Sequence, residues 1–167
     1  IIKCPKPIIA EVAGTATAAG CQLVASCDLA YASSSAKFAT PGVNIGLFCS
    51  TPMVAISRNL SNKHSMEMLL TGELISSDKA AKIGLINDVI EINKLKDFTL
   101  DKAQKISKKS SVTLKIGKEA FYKQLDMKLS DAYDYASKVM VQNMLKLDAK
   151  EGIDAFIDKR EPNWKDK

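Results

Sequence analysis

The sequence predicts an α/β fold over residues 1–90 and an all-helical region over residues 91–167. Three observations carry this. Short extended runs alternate with small helices between Ile8 and Ile90, the pattern of parallel-type crossovers. Apolar residues then recur at helical spacing from about Lys94 almost to the end. The change from mixed to helical near residue 91 is the one candidate boundary, with no repeat of clear period and no low-complexity linker.

Pro5 and Pro7 bracket the entry to the first strand, Ile8–Val12, where a proline removes no ladder bond. A helix from about Ala18 to Ser26 follows, then a strand near Leu29–Ala32, a turn at Ser33–Ser35 and a short extended piece at Lys37–Ala39. Pro41-Gly42 breaks that piece, and Val43–Phe48 is an apolar run interrupted by Gly46. Ser50 or Thr51, with Pro52 behind it, starts a helix that runs to about Leu60. Asn62 caps the next helix and Gly72 ends it. Ser76 or Ser77 caps a short helix that Gly84 ends, and Leu85–Ile90 is a last strand. Beyond it, Leu95, Phe98, Leu100, Ala103 and Ile106 make one apolar helix face. Val112–Leu125 and Ser130–Leu147 make two more, and Glu151–Lys159 is a short final helix stopped by Pro162. Such an Ala-, Val- and Met-rich tail covers either a partner subunit or its own core.

With 167 residues the chain is one domain or part of one. Its net charge of +5 comes from scattered lysines. The densest cluster, Lys102–Lys109, lies on a predicted helix among polar neighbours and reads as a solvated face. No basic stripe interleaved with aromatics points to nucleic acid. Cys4, Cys21, Cys27 and Cys49 show no C-x-x-C spacing, which suits small core thiols in a reducing compartment. The single histidine, His64, excludes a multi-histidine metal site. No apolar run approaches the roughly 18–20 residues of a membrane span.

The stretch Ala13–Asp28 organises the rest. Small residues lie between two strand-like runs and open a helix. The first N–H groups of a helix have no partner inside it and carry partial positive charge. Ala18, Ala19 and Gly20 therefore offer backbone donors to a carbonyl or an oxyanion. The same small residues also suit a helix packed tightly on a sheet, and the local pattern alone fits both readings.

The order of motifs is similar to the enoyl-CoA hydratase/isomerase (crotonase) superfamily. Lys6-Pro7-Ile8-Ile9-Ala10, Ala18-Ala19-Gly20-Cys21-Gln22-Leu23 and Cys27-Asp28 resemble its central signature. Phe38-Ala39-Thr40-Pro41-Gly42-Val43-Asn44-Ile45-Gly46 resembles its next block. Glu67–Gly72, Ile75-Ser76, Ala80–Ile86 and Glu151–Arg160 continue in register. The resemblance implies a crotonase-like spiral of ββα turns, the later turns only, followed by a helical trimerisation region. The first turns, with the segment that grips the CoA arm, would lie before Ile1, so the chain reads as a fragment or short isoform, expected to be unstable or aggregation-prone by itself. The implied partner is an acyl-CoA thioester, the implied assembly a homotrimer or dimer of trimers, and the implied setting mitochondrial fatty-acid metabolism. No cofactor and no metal is implied.

The resemblance also assigns roles. One oxyanion-hole donor matches the Ala19 N–H, with Ala18 and Gly20 beside the substrate, and the second donor would come from upstream. Hydratases of the family use two glutamates to activate and orient one water; here Gln22 and Gly42 stand at those positions. An amide takes no proton at working pH and glycine has no side chain, so ordinary hydration is not expected. Phe156 and Lys159 match positions that approach the CoA adenine and phosphate across a subunit boundary. Cys49 is a conceivable nucleophile, though with no base adjacent in sequence, and His64 reads as a surface residue with no G-x-S-x-G elbow in support. Three readings follow: an acyl-CoA-binding lyase or isomerase with weak or atypical chemistry, a non-catalytic homologue with a regulatory or assembly role, and a hydrolase using Cys49 or a serine.

Overall fold

The computed structural model describes residues 1–165 and divides into two units. One comprises Ile1 with Ile8–Ala103, the other Ile2–Pro7 with the chain from Gln104 onward.

The first unit runs β1 (Ile9–Val12), β2 (Thr15–Thr17), α1 (Ala19–Ser26), β3 (Leu29–Ser33), β4 (Lys37–Ala39), a 3-10 turn (Pro41–Ile45), α2 (Ser50–Ile56), α3 (Asn62–Thr71), β5 (Ile75–Ser76), α4 (Ser77–Ile83), β6 (Asp88–Ile90) and the first turns of α5 (Ile92–Ser107). Two three-stranded sheets result. In one, β3 is central and parallel to both neighbours, with Ile9 opposite Leu29 and Tyr31 opposite Asp88. In the other, β4 is parallel to β2 and antiparallel to β5. That antiparallel pair is one the parallel-type crossovers read from the sequence do not anticipate. Nor do they anticipate β2, which occupies residues the sequence assigned to a connection.

Other boundaries move for local reasons. The predicted strand Leu85–Ile90 is confined to Asp88–Ile90, because Leu85 and Ile86 are buried in the core instead. Asn87 still joins the edge of β3, its N–H donating to the Ala30 carbonyl at 2.8 Å and its Oδ1 accepting from the Ala30 N–H at 2.7 Å. The apolar run at Val43–Phe48 is not extended: it begins inside the 3-10 turn, and Gly46 closes that turn at φ 77°. Cys49, not Ser50 or Thr51, precedes α2, which stops at Ile56 rather than Leu60. Ser61 rather than Asn62 caps α3, its Oγ accepting from the His64 N–H. Gly72 and Gly84 end α3 and α4 in the left-handed region, as their positions predict.

The core explains why α1 is built of small residues. Cys21, Val24 and Ala25 pack among Val12, Ala16, Ala30, Ala32 and Phe38, where bulky side chains would hold the helix off the strands. Two polar contacts pin its exit. Asn59 Nδ2 donates to the Ala25 carbonyl at 2.8 Å, satisfying one of the last orphan carbonyls. Asp28 Oδ2 accepts from the Ile8 N–H at 2.7 Å, tying the start of β3 to the start of β1.

The second unit holds α6 (Ser111–Gln124), α7 (Leu129–Met144) and α8 (Leu147–Ile157). The last helix starts four residues before the predicted Glu151, with Asp148 in its first turn accepting from the Lys165 N–H at 2.7 Å. Residues 163–165 turn back across the unit. Trp164 Nε1 donates to the Lys108 carbonyl at 2.8 Å, and its ring lies against Gly152.

Candidate active site

Ala18 shapes the start of α1. It caps the helix at φ 48°, ψ −116°, a conformation rare for a residue with a Cβ. Its N–H donates to the Ala39 carbonyl at 3.0 Å and its carbonyl accepts from the Gln22 N–H at 3.0 Å. Both polar groups of Ala18 are thus used, and the twist at its ψ carries the chain from β2 into the helix. Ala19 is the first helical residue and is exposed. Among the described residues nothing accepts its N–H. A partially positive donor is therefore presented at the helix start with no internal competitor.

Gly20 has room above it: an added Cβ would lie 3.9 Å from the Ala16 Cβ, an ordinary contact. Gln22 follows on the same turn, half-buried, and its side-chain amide has no hydrogen-bond partner among the described residues. Ala39, which holds Ala18, is the last residue of β4 and leads through Thr40 and Pro41 to Gly42. Thr40 is fully buried, and its Oγ1 donates to the Met68 carbonyl at 2.8 Å.

Gly42 sits in a closed turn. Its N–H donates to Cys49 Sγ at 3.3 Å, and its carbonyl accepts from the Leu47 N–H at 2.9 Å. A Cβ added there would stand 2.7 Å from the Leu47 carbonyl oxygen and 2.9 Å from Cys49 Sγ. Beyond the turn, Ile45, Leu47 and Phe48 expose large apolar side chains. Cys49 itself is buried, and so is Cys21, whose thiol is pushed up to about 12 first by burial and then by the neighbouring Cys49. α1 packs against α2, the helix that Cys49 precedes.

The remaining candidates fall elsewhere. His64 Nδ1 is 3.2 Å from Ser61 Oγ, a local contact at the start of α3. Among the described residues no hydrogen bond joins Cys49 to a base, and no group of three metal-ligating side chains gathers. Phe156 and Lys159 belong to the second unit. Phe156 is 84% exposed on α8. Lys159 ends α8 at φ 53°, its N–H donating to the Phe156 carbonyl while the Arg160 N–H donates to that of Ala155. No residue pattern signals the strain at Ala18 or the Cys49–Gly42 contact.

One family profile matches the chain. The profile described as enoyl-CoA hydratase/isomerase covers residues 1–167, and the chain belongs to that family.

Among relatives, the mouse (Mus musculus) protein named enoyl-CoA hydratase domain-containing protein 3, mitochondrial, is 54% identical over 160 residues, covering 96% of this chain and 53% of that protein. The crystal structure of human enoyl coenzyme A hydratase domain-containing protein 3 superposes with a TM-score of 0.96 at 51% identity, over 98% of this chain and 65% of that one. An enoyl-CoA hydratase structure from Mycobacterium smegmatis gives 0.96 at 48% identity, over 98% and 64%. The chain spans about half the length of the curated relatives it matches.

Proposed function

We propose that this chain forms the thioester-holding part of an acyl-CoA-binding protein of mitochondrial fatty-acid metabolism whose chemistry is weak or atypical. The observation that carries the reading is the Ala19 N–H, exposed at a helix start and without an acceptor among the described residues. Such a donor polarises a thioester carbonyl and stabilises the enolate that forms when an α-proton leaves. Removing one donor of this kind costs about 3–4 kcal/mol in related sites. Gln22 and Gly42 stand where the family's hydratases carry their glutamates, so no paired carboxylates deliver water across the double bond. Positioned acid–base groups contribute typically about 10²–10⁴-fold each, and without them hydration is slow. Phe156 and Lys159 are read as contacts to the adenine and phosphate of CoA bound by a neighbouring subunit. Membership of the family and the mitochondrial names of its relatives support the setting. In this reading the first unit is the later part of a ββα spiral, and the helices from α6 on assemble a homotrimer or dimer of trimers.

The test is calorimetric titration of the whole protein with a short-chain acyl-CoA and with free CoA, alongside a crotonyl-CoA hydration assay. The reading expects saturable binding that favours the thioester, with hydration at least about 10²-fold below ordinary family rates. Hydration at ordinary rates would refute the assignment of Gln22 and Gly42; no acyl-CoA binding would remove the reading altogether.

A second reading, a non-catalytic homologue with an assembly role, is favoured by α7. Its Leu129, Tyr133, Met140 and Val141 are each more than 60% exposed, as is Leu145 just past its end. Binding of acyl-CoA without any turnover of enoyl- or acyl-thioesters is its signature.

A further inference from the structure

Residue 42 lacks more than a carboxylate. The turn from Gly42 to Cys49 is closed onto the glycine itself, by Gly42 N–H to Cys49 Sγ at 3.3 Å and by Leu47 N–H to the Gly42 carbonyl at 2.9 Å. The room for a first side-chain atom is taken by the Leu47 carbonyl oxygen, 2.7 Å away, Cys49 Sγ at 2.9 Å and the Cys49 nitrogen at 3.3 Å. Two of these three atoms are backbone, so a rotamer change relieves only the thiol. Gly42 is not required here for its φ; it is required for its volume. The thiol is held by burial: Cys49 is 8% exposed, between the turn and the start of α2.

We infer that Cys49, together with the Leu47 carbonyl, determines the reaction class of this site by occupying the space an acidic side chain at residue 42 needs. The inference rests on the proposed reading of position 42 as that of a hydratase glutamate. Cys49 acts through the turn it closes and is a positioning residue. Proton-transfer chemistry from position 42 is excluded by packing, and a carboxylate placed there has nowhere to point until the turn opens.

The experiment uses the whole protein and three variants. Gly42→Ala lowers the melting temperature by roughly 3–10 °C, the shift that overpacking by one methyl gives at this size. The same variant raises the alkylation rate of Cys49 about tenfold, read residue by residue by mass spectrometry, while Cys21 in α1 keeps its rate. General loosening would move both thiols. In a Cys49→Ala background the same Gly42→Ala change lowers the melting temperature less, because one of the crowding atoms is gone. Gln22→Glu/Gly42→Glu hydrates crotonyl-CoA no faster than Gln22→Glu alone. An unchanged melting temperature and unchanged Cys49 labelling in Gly42→Ala overturn the inference. So does an equal loss in both backgrounds, or a gain of about 10²-fold from the second glutamate. Absence of acyl-CoA binding to the unmodified protein would sink the functional reading instead, and leaves the melting and labelling results to decide the packing claim.

Discussion

Ala18 holds a backbone conformation that glycine adopts without penalty and alanine does not. Strain of this kind costs about 1–3 kcal/mol, against roughly 0.5–1 kcal/mol for the extra freedom glycine brings to the unfolded chain. Ala18→Gly is therefore expected to stabilise the protein by about 1 kcal/mol, seen as a higher urea midpoint at unchanged slope. A lower midpoint would mean that the strain is relieved by contacts of the Ala18 methyl. Lys159 presents the same problem at the other end of the chain. It occupies the left-handed position of a double-bonded helix terminus normally taken by glycine. Lys159→Gly is expected to raise stability by about 1 kcal/mol and, on the proposed reading, to weaken acyl-CoA binding. Gains in both stability and affinity would separate Lys159 from the phosphate. At this scale the sequence was half legible. The orphan donor at Ala19 follows from any helix start, so small residues after a strand located it. The strain at Ala18 had no signal, since no glycine marks it, and the crowding at Gly42 depends on a thiol seven residues further on.

Elements with strong stop signals were legible. Gly72 and Gly84 terminate α3 and α4 where expected, and Ser76 caps α4 through the Lys79 N–H. β2 and β5 were missed because three and two residues are too few to show an alternating pattern. They exist because β4 between them buries Phe38 completely, and that ring fixes the register of both pairs. Phe38→Ala is expected to lose about 3–5 kcal/mol, a loss visible in the urea midpoint; under 1 kcal/mol would show a core able to collapse around the gap. At α8 the bidentate pair of Arg160 on Glu151, at 2.7 and 3.1 Å, is extended by the Asn163 N–H. The Arg160 guanidinium first, and the Asn163 N–H second, hold the Glu151 carboxyl at about 2 instead of the ordinary 4.5. The folded value lies below the unfolded one, so this support is complete above about pH 4.5 and is lost as pH falls toward 2. Thermal melts over that window should show a steeper decline for the native protein than for Glu151→Gln. Parallel curves would assign the acid sensitivity to other carboxylates.

Across the whole molecule, apolar surface is unevenly distributed. α6 and α7 carry only half-buried and exposed side chains, although their sequences have the periodicity of buried helices. The pattern identified the helices correctly, but periodicity cannot say whether the facing surface belongs to the same chain. Exposed apolar side chains in this number mark an interaction site, and the proposed trimer is their expected occupant. Sedimentation of the whole protein should then report an oligomer that Met140→Lys/Val141→Lys shifts to smaller species. An unchanged mass would remove α7 from the contact.

The way Trp164 is tied down gives the molecule a built-in reporter. It is the only indole in the chain, and it sits in the second unit with its nitrogen on the Lys108 carbonyl and its ring on Gly152. Its emission therefore follows the helical unit alone, while circular dichroism records helix in both. Superimposed unfolding traces from the two signals would mean that both units unfold in one cooperative step. Separated traces would assign each unit its own melting point without any added label.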